Sequence, residues 1–301
     1  KMLACRPPWC IASALVAALV LLSSASVDGF MTPTWAPLQQ ARSQVSQRPA
    51  AIQLALRQSL RMSDDIGLTD AGRRELRDLE GKWKNICVLG GSKGVGREIV
   101  SLLSGMDVNV VALVRSEDSK SELDELKGVK AVIGDAAEAA DVIGVLDGCD
   151  AAISTLGGGG EVRIDYKGNM NMIENAGILG VTRMILVTSV GSGDSKEAIP
   201  DTVYEKLSAA LVDKTKAENL LLKYYTNTDF TIIRPGGLIT APSTGKAILT
   251  EDKMASGAIH REDVAKLCID ALYSKKCSQK VLSAVDPSLS DPPTSFEPFA
   301  T

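Results

Sequence analysis

Aromatic residues and histidine are scarce in this chain of 301 residues. Phe, Trp and Tyr together account for 4% of the residues, and His260 is the single histidine. The six cysteines include no CxxC pair, so the closely spaced ligands of a structural zinc site are lacking and we predict no metal. Because aromatic side chains are few, the hydrophobic content of 45% implies a core built mainly from Val, Ile, Leu and Ala.

The chain also lacks an excess of positive charge. Six of the 33 basic residues and one of the 37 acidic residues lie in residues 1–63, which leaves a net charge of −9 for the remainder. An acidic body is poorly suited to binding the phosphate backbone of DNA or RNA. We therefore predict that nucleic acid is not a partner.

Residues 1–29 combine the features of a signal peptide. Two basic residues precede an uncharged apolar stretch from Ile11 to Leu22, and small residues follow as far as Gly29. The apolar stretch is shorter than the roughly 18–20 residues that a membrane-spanning helix needs. We predict cleavage before Phe30 and no stable membrane span in the mature chain, with an uncleaved membrane anchor as the alternative.

Residues 30–63 lack acidic side chains altogether. They contain four arginines and several Ser, Thr, Gln and Pro residues, a composition typical of an organelle transit peptide. A signal peptide followed by a transit peptide, with Phe30 at the junction, resembles the bipartite presequences of algae with secondary, red-type plastids. This resemblance implies import into the plastid stroma, with the secretory pathway as the alternative destination.

Residues 64–288 alternate between strand-like and helix-like patterns. Near-continuous apolar runs predict strands at Asn85–Leu89, Val108–Val114, Val129–Ile133, Ala151–Leu156, Arg183–Ser189, Phe230–Arg234 and Lys280–Val285. Helical spacing occupies Gly94–Leu103, Tyr166–Leu179, Ala209–Tyr225 and His260–Ser274. Apolar strands separated by helices indicate a parallel sheet covered on both faces.

We therefore predict an α/β fold, a Rossmann-type doubly wound parallel sheet. It forms a single NAD(P)-binding domain over residues 64–288 with a small C-terminal substrate-side region. Residues 289–301 are rich in Pro and Ser, which predicts a flexible tail.

The turn after the first strand carries the motif Gly90-Gly91-Ser92-Lys93-Gly94-Val95-Gly96. Gly90 permits a tight turn, Gly94 lets the backbone approach a pyrophosphate, and Gly96 lets the helix pack closely on the strand. The helix N-terminus offers free N–H groups to phosphates. The strand–turn–helix context predicts a dinucleotide site, and a glycine turn that binds nothing is the alternative. The predicted ligands are Gly90, Ser92, Lys93, Gly94, Val95 and Gly96.

Polar residues follow the next three strands. Arg115 ends the second, where a basic residue suits the 2′-phosphate of NADP and an acidic one suits the 2′-hydroxyl of NAD. Arg115 therefore favours NADP as the cofactor, with a solvated arginine as the alternative. Asp135, after the third strand, either accepts from the adenine amino group or caps the next helix. Thr155 and Gly157, after the fourth, either border the cofactor or belong to a flexible connector.

These residues resemble the short-chain dehydrogenase/reductase superfamily, whose glycine turn has the spacing GxxxGxG. Later segments are similar to its atypical, NmrA-like branch of NAD(P)-binding proteins. Those segments are Asp165–Asn169, Ile185–Gly191, Lys214–Glu218, Thr231–Leu238 and Arg261–Ala265. The resemblance runs from about Asn85 to Val285.

The resemblance implies further contacts with the cofactor. It places Asp135 and Ala136 beside the adenine and the loop from Thr155 to Gly157 beside the ribose. It also places Lys214 near the nicotinamide ribose. Pro235, within the segment Arg234-Pro235-Gly236, would shape the nicotinamide end.

Classical members of the superfamily use a Tyr-x-x-x-Lys pair, in which the lysine lowers the pKa of a tyrosine acid. The residue four before Lys214 is Ala210, so this pair is absent. Ser189 matches the substrate-facing serine of the superfamily, and Ser189 and Lys214 are the candidate catalytic residues. A strand-end hydroxyl bonded to the backbone is the alternative for Ser189. His260 precedes an acidic helix start, and we interpret it as a surface or capping residue.

Two functions follow from this pattern. The first is an NADPH-dependent oxidoreductase that acts on a small molecule, with solvent or a loop group supplying the proton. The second is a non-catalytic NADP-binding protein, either a redox sensor or an assembly or scaffold factor with a plastid protein partner. We favour the first, because hydride chemistry can run without the tyrosine. A sugar-nucleotide epimerase needs the Tyr–Lys pair and is disfavoured.

Overall fold

The computed structural model of the chain describes residues 83–106, 108–158, 164–225, 228–290 and 295–301. The predicted signal peptide and transit peptide lie outside these ranges, as do residues 64–82 of the predicted domain. Every helix in the described ranges is too short or too polar to serve as a bilayer-spanning segment.

The described residues form alternating strands and helices. The strands are β1 (Asn85–Leu89), β2 (Asn109–Val114), β3 (Val129–Ile133), β4 (Ala151–Ser154), β5 (Arg183–Val187), β6 (Asp229–Pro235), β7 (Gly237–Ile239), β8 (Ile248–Thr250), β9 (Ala258–His260) and β10 (Lys280–Val285). The α-helices are α1 (Gly94–Ser104), α2 (Glu117–Asp124), α3 (Ala139–Leu146), α4 (Ile164–Ile178), α5 (Asp201–Tyr224) and α6 (Arg261–Tyr273). Short 3-10 helices lie at Gly193–Ala198, Lys275–Cys277 and Pro287–Leu289.

Eight strands form one sheet in the order β3-β2-β1-β4-β5-β6-β10-β8. Neighbouring strands are parallel except for β10 and β8, which run antiparallel. Since β1 lies between β2 and β4, the strand order reverses there, and open sheets of this kind bind ligands at the carboxyl ends of the strands next to such a point. The strands β7 and β9 form a separate two-stranded parallel ribbon.

The central strand shows why the sheet needs helices on both faces. Ile86 and Val88 on β1 belong to one core cluster, which includes residues of α1 and α6. Cys87 and Leu89 point the other way into a second cluster, which includes residues of α4 and α5. All four side chains are fully buried. Burying one large aliphatic side chain contributes about 1.5–3 kcal/mol, so both faces of the strand drive folding.

The predicted fold, a Rossmann-type doubly wound parallel sheet, is confirmed. The bounds of β1, β3 and β10 coincide with the predicted ones. The helix predicted to begin at Ala209 begins instead at Asp201, because its first turns have no buried side chain and so give no apolar periodicity. The ribbon of β7 and β9 lies between β6 and α6 along the chain, and the predicted substrate-side region stays a prediction.

The end of the chain makes contacts with the domain. The backbone N–H of Phe299 donates to the carbonyl of Leu249 at 2.7 Å, and its ring packs against the core cluster of α1 and α6. The side-chain ammonium of Lys280 lies 5.8 Å from the centre of the same ring. These contacts attach the last residues to β8 and β10, although the sequence predicts a flexible tail over residues 289–301.

Candidate functional site

The phosphate turn joins β1 to α1. Gly90 and Gly94 have φ angles of +84° and +58°, in the region that glycine adopts without strain. A Cβ on Gly96 would lie 2.2 Å from the carbonyl oxygen of Gly90, so α1 packs directly against the turn. The side chain of Val95 is buried in the core, which leaves its backbone for any ligand. This tight turn, with glycines at its two left-handed positions, fits a pyrophosphate at the N-terminus of α1.

A cleft opens beside the phosphate turn at the carboxyl ends of β1 to β4. It is lined by Gly90, Ser92, Lys93, Leu113, Val114, Arg115, Gly134, Asp135, Ala136, Thr155, Leu156, Gly157, Gly158 and Ile164. Its volume is about 200 Å³, below the roughly 300–1,000 Å³ of pockets that enclose a whole ligand, so it suits one end of a dinucleotide. Of the predicted cofactor residues, Gly94, Val95, Gly96, Lys214 and Pro235 lie outside its lining.

Two basic side chains in the cleft are available to a ligand. Lys93 and Arg115 both line the cleft, and both are exposed. Neither side chain makes a hydrogen bond or an ion pair with another residue that the structure describes. A guanidinium and an ammonium without carboxylate partners are suited to binding phosphate groups.

Asp135 and Ala136, after β3, also line the cleft. The Asp135 carboxylate accepts from the backbone N–H of Ala137 at 2.8 Å, which closes a local turn. Glu138 occupies the N-cap position of α3, so Asp135 does not cap the helix. The side-chain amide of Asn171 donates to the Ala136 carbonyl at 2.9 Å and fixes this wall. The predicted adenine contact of Asp135 stays a prediction.

The side chain of Thr155 braces the phosphate turn. Its hydroxyl lies 3.2 Å from the carbonyl oxygen of Leu89 and 3.3 Å from that of Gly90. A Cβ on Gly90 would lie 2.8 Å from the same hydroxyl, so threonine and glycine fit each other closely. The hydroxyl therefore supports the turn, and a ribose contact would use other atoms of this loop.

Lys214 lies under the loop that follows β4. Its ammonium is 2.8 Å from a carboxylate oxygen of Asp165 and donates to the Leu156 carbonyl at 3.1 Å. Both charged side chains are nearly buried. A Cβ on Gly157 would lie 2.9 Å from the ammonium, so the glycine is needed for this approach. Lys214 thus positions the loop at the cleft, and sequence reasoning missed its partner Asp165.

The second candidate catalytic residue, Ser189, is also engaged. Its hydroxyl donates to the backbone carbonyl of Val190 at 3.0 Å. This bond agrees with the alternative interpretation of Ser189 as a strand-end hydroxyl bonded to the backbone. The nearest upstream tyrosine, Tyr204, lies ten residues before Lys214 on α5, a separation of about 15 Å along a helix. Tyr204 therefore cannot replace the tyrosine of the missing pair.

An ion-pair network around the buried side chains of Arg234 and Glu218 fixes the segment after β5. Arg234 makes two hydrogen bonds to the Glu218 carboxylate, at 2.8 and 3.1 Å, and one to Asp194 at 2.6 Å. The Thr188 hydroxyl donates to Glu218 at 2.6 Å. The hydrogen bond from Arg234 lowers the pKa of the Asp194 carboxyl below its usual value. The carbonyl of Pro235 accepts from Val190, so this part of β6 holds the segment through both backbone and side chain.

Comparison with known proteins gives the family. The sequence profile of a family described as NAD(P)H-binding matches residues 90–275. The chain belongs to this NAD(P)H-binding family. The match covers the phosphate turn, the cleft and the Arg234 network. Its relatives include epimerase-like and reductase-like members, which confirms the resemblance to atypical short-chain dehydrogenases/reductases.

Three relatives illustrate the family. A Bacillus subtilis protein described as the uncharacterized sugar epimerase YhfK is 31% identical over 67% of this chain and 94% of its own length. An uncharacterized chloroplastic protein of Arabidopsis thaliana, At2g34460, is 30% identical over 68% of this chain and 77% of its own. The solved structure of ChuY, an anaerobillin reductase from Escherichia coli O157:H7, has a TM-score of 0.63 and 32% identity over 69% of this chain and 99% of its own.

The interpretation of His260 as a surface or capping residue is wrong for this NAD(P)H-binding protein. The residue is buried, and its side chain does not cap α6 although it occupies the N-cap position. Its Nδ1 lies 3.7 Å from Asp263, and Asp286 is close to both. The two carboxylates accept hydrogen bonds from Thr244 and from neighbouring backbone groups. The cluster therefore anchors the loop before β8.

A larger cavity, of about 760 Å³, lies at the amino ends of β1 and β2. Trp83 and Tyr273 line it, with their ring centres 6.2 Å apart. Ligands of open α/β sheets bind at the carboxyl ends of the strands, so we assign the cofactor to the smaller cleft in spite of its size. Sequence patterns gave no indication of this second cavity.

Proposed function

We propose that this protein is an NADPH-dependent oxidoreductase that reduces a small-molecule acceptor. The observation that carries the proposal is that two exposed basic side chains, Lys93 and Arg115, line the cleft beside the phosphate turn. The 2′-phosphate of NADP carries up to two negative charges, and an arginine at the end of the second strand is the usual partner for it. NAD lacks this group and gains nothing from Arg115.

The chain's own groups fit the cofactor along the cleft. The N–H groups at the start of α1 receive the pyrophosphate, and the absence of a side chain on Gly94 leaves room for it. Lys214 and Asp165 hold the loop at Gly157 against the cleft. When bound, NADPH supplies a hydride to an acceptor. The acceptor's proton then comes from solvent or from a loop group, because the usual tyrosine is absent.

The reductase among the relatives supports reduction over epimerization. ChuY is described as an anaerobillin reductase, and this chain aligns with 99% of its length. YhfK is described as a sugar epimerase but also as uncharacterized, so it gives weaker support for epimerization. Ala210 in place of the tyrosine removes the acid–base pair that an epimerase needs.

The test is a titration of the purified protein with NADPH and with NADH, followed by NADPH oxidation with quinone, enone and flavin acceptors. We expect NADPH to bind at least about ten-fold more tightly than NADH, since charge-assisted hydrogen bonds contribute about 1.5–3 kcal/mol. Equal or tighter NADH binding would contradict the role of Arg115. Oxidation of NADPH by at least one acceptor class would establish the enzyme.

A second function is favoured by a different observation. Ser189 and Lys214, the two candidate catalytic residues, are both bonded to other protein groups. This arrangement suits a non-catalytic NADP-binding redox sensor, or an assembly or scaffold factor with a plastid protein partner. Tight NADPH binding without turnover of any acceptor would support this function over the reductase.

We also propose delivery to the stroma of a secondary, red-type plastid. The composition of residues 1–63 supports it, and one relative is described as chloroplastic. Residues 1–63 fused to a fluorescent protein should reach the plastid of an alga of this type. The same fusion without residues 30–63 should remain in the secretory pathway. Secretion of both fusions would contradict the plastid assignment.

A further inference from the structure

Arg261, the first residue of α6, lies beside the phosphate turn. Its Nε lies 3.7 Å from the position that a Cβ on Gly94 would take, and its Cδ lies 3.9 Å away. Gly94 is the residue at which the backbone can approach a pyrophosphate. The segment Arg261–Ala265 resembles the family, but that resemblance implies no cofactor contact for Arg261, and it is the fold that brings the guanidinium beside this glycine.

The guanidinium is held by one nitrogen only. Its Nη1 donates to the Thr240 hydroxyl at 2.6 Å and to the Leu238 carbonyl at 3.3 Å. These two bonds use both hydrogens of Nη1, and a guanidinium has five. Among the residues that the structure describes, Nε and Nη2 have no partner. These two nitrogens form the edge that binds phosphate oxygens in a bidentate manner, and Nε is the atom next to Gly94.

The base of this side chain is fixed before any ligand binds. Glu262 accepts from the backbone N–H of Ser243 at 3.0 Å, and Asp263 accepts from that of Thr244 at 2.9 Å. These bonds attach the start of α6 to the loop before β8. Preorganised donors lose little conformational entropy on binding, so the Arg261 side chain is suited to binding an anion.

We propose that Arg261 binds the pyrophosphate of the bound dinucleotide through its Nε and Nη2 edge. The inference rests on the proposed cofactor site and adds a ligand from the C-terminal part of the chain. Through Leu238 and Thr240, the same side chain connects the phosphates to β7. Leu238 and Ile239 on β7 are apolar and exposed, so phosphate binding would also order a surface suited to an apolar acceptor.

The test measures the affinity of the full chain for two probes. NADP⁺ contains the pyrophosphate, and adenosine 2′-monophosphate contains the adenosine and the 2′-phosphate without it. Arg261→Gln should weaken NADP⁺ binding about ten-fold or more and leave binding of the monophosphate unchanged. Arg261→Lys should recover part of the lost affinity, because lysine restores the positive charge but lacks the two parallel N–H donors of the guanidinium.

Lys276→Gln is the control. It removes one positive charge from the 3-10 helix Lys275–Cys277 that follows α6, at a side chain that lines the cavity at the amino ends of the strands and lies outside the cleft. It should leave both affinities within about two-fold. In hydrogen exchange, NADP⁺ should protect residues 237–240 of the wild type but not those of Arg261→Gln, with unchanged melting temperature of the free variant.

The outcomes separate this proposal from the cofactor assignment. If the wild type binds neither NADP⁺ nor the monophosphate, the assignment of the cofactor to this cleft is wrong, and the proposed role of Arg261 is wrong as well. If the wild type binds both and Arg261→Gln stays within two-fold for NADP⁺, the role of Arg261 alone is overturned. Equal weakening of both probes would also overturn it, because that pattern indicates a distorted cleft.

Discussion

The two ends of the candidate site differ in how their polar groups are used. At the end that we propose for the adenosine, Lys93 and Arg115 face the cleft without partners among the described residues. At the end proposed for the nicotinamide, Ser189, Lys214 and Arg234 are already bonded to other protein groups. One end thus has groups available for a ligand, whereas the other uses its groups to hold the protein together.

This difference indicates that cofactor binding and catalysis make unequal demands on the chain. Binding requires charged groups that remain free until the phosphates arrive. Hydride transfer requires mainly that the cofactor and the acceptor be held in place, so loops fixed by internal bonds can support it. Four variants test the comparison, and they are ordered by the size of the expected effect.

The largest effect is expected for Arg234→Gln. The change leaves the buried Glu218 carboxylate without its cation, and breaking a buried pair of this kind costs about 3–5 kcal/mol. Chemical denaturation would measure the loss. Lys280→Gln, which removes an exposed partner of Glu251, is the control and should cost less than about 1 kcal/mol. A loss below 1 kcal/mol for Arg234→Gln would show that the network does not support the fold.

Lys214→Met should cost about 1.5–3 kcal/mol, because the nearly buried Asp165 loses a charged hydrogen-bond partner. The double variant with Asp165→Asn removes both charges and should recover part of this stability. If Lys214 only positions the loop, the double variant keeps most of the NADPH oxidation rate. A stable double variant with a rate reduced more than about a hundred-fold would make Lys214 catalytic, since general acid–base groups contribute about that much.

Arg115→Gln should reduce NADPH affinity about ten-fold, which corresponds to about 1.4 kcal/mol, and leave NADH affinity unchanged. Isothermal titration with each cofactor would measure both. Lys130→Gln removes the same charge from an exposed position on β3 outside the cleft and serves as the control. An equal loss of affinity for NADPH and NADH would show that Arg115 does not bind the 2′-phosphate.

The smallest effect is expected for Ser189→Ala. Its hydroxyl makes a single bond to the backbone of Val190, so the stability should change by less than about 1 kcal/mol. NADPH oxidation should stay within about two-fold of the wild type. A ten-fold or larger loss of rate at unchanged stability would place this serine at the acceptor.

The sheet could be predicted well because its strands are buried on both faces. Cys87 and Leu89 face one core while Ile86 and Val88 face the other, so β1 is a continuous apolar run in the sequence. The phosphate turn was equally visible, since its glycines follow that run directly. Elements that lie at the surface gave weaker patterns, and α2, α3 and the start of α5 were not predicted.

Much of the candidate site could not be predicted, because its contacts join distant parts of the chain. Asp165 meets Lys214 only after α4 and α5 pack together, and neither residue type indicates the other. Arg261 reaches Gly94 through the packing of α6 on α1, far along the sequence. Single residues at strand ends, such as Arg115 and Asp135, were found because the topology of parallel sheets places them at one edge.

Trp83 gives the domain an intrinsic optical probe. The chain has three tryptophans, and only Trp83 lies beyond residue 63, so removal of the predicted leader would leave a single emitter. Its indole N–H donates to Thr182, and the Arg183 guanidinium lies 6.0 Å from its ring, at the opposite edge of the sheet from the phosphate turn. Its emission should change when the amino edge unfolds. Bound NADPH should quench it only by energy transfer, so one fluorophore can separate melting of the fold from loading of the cofactor.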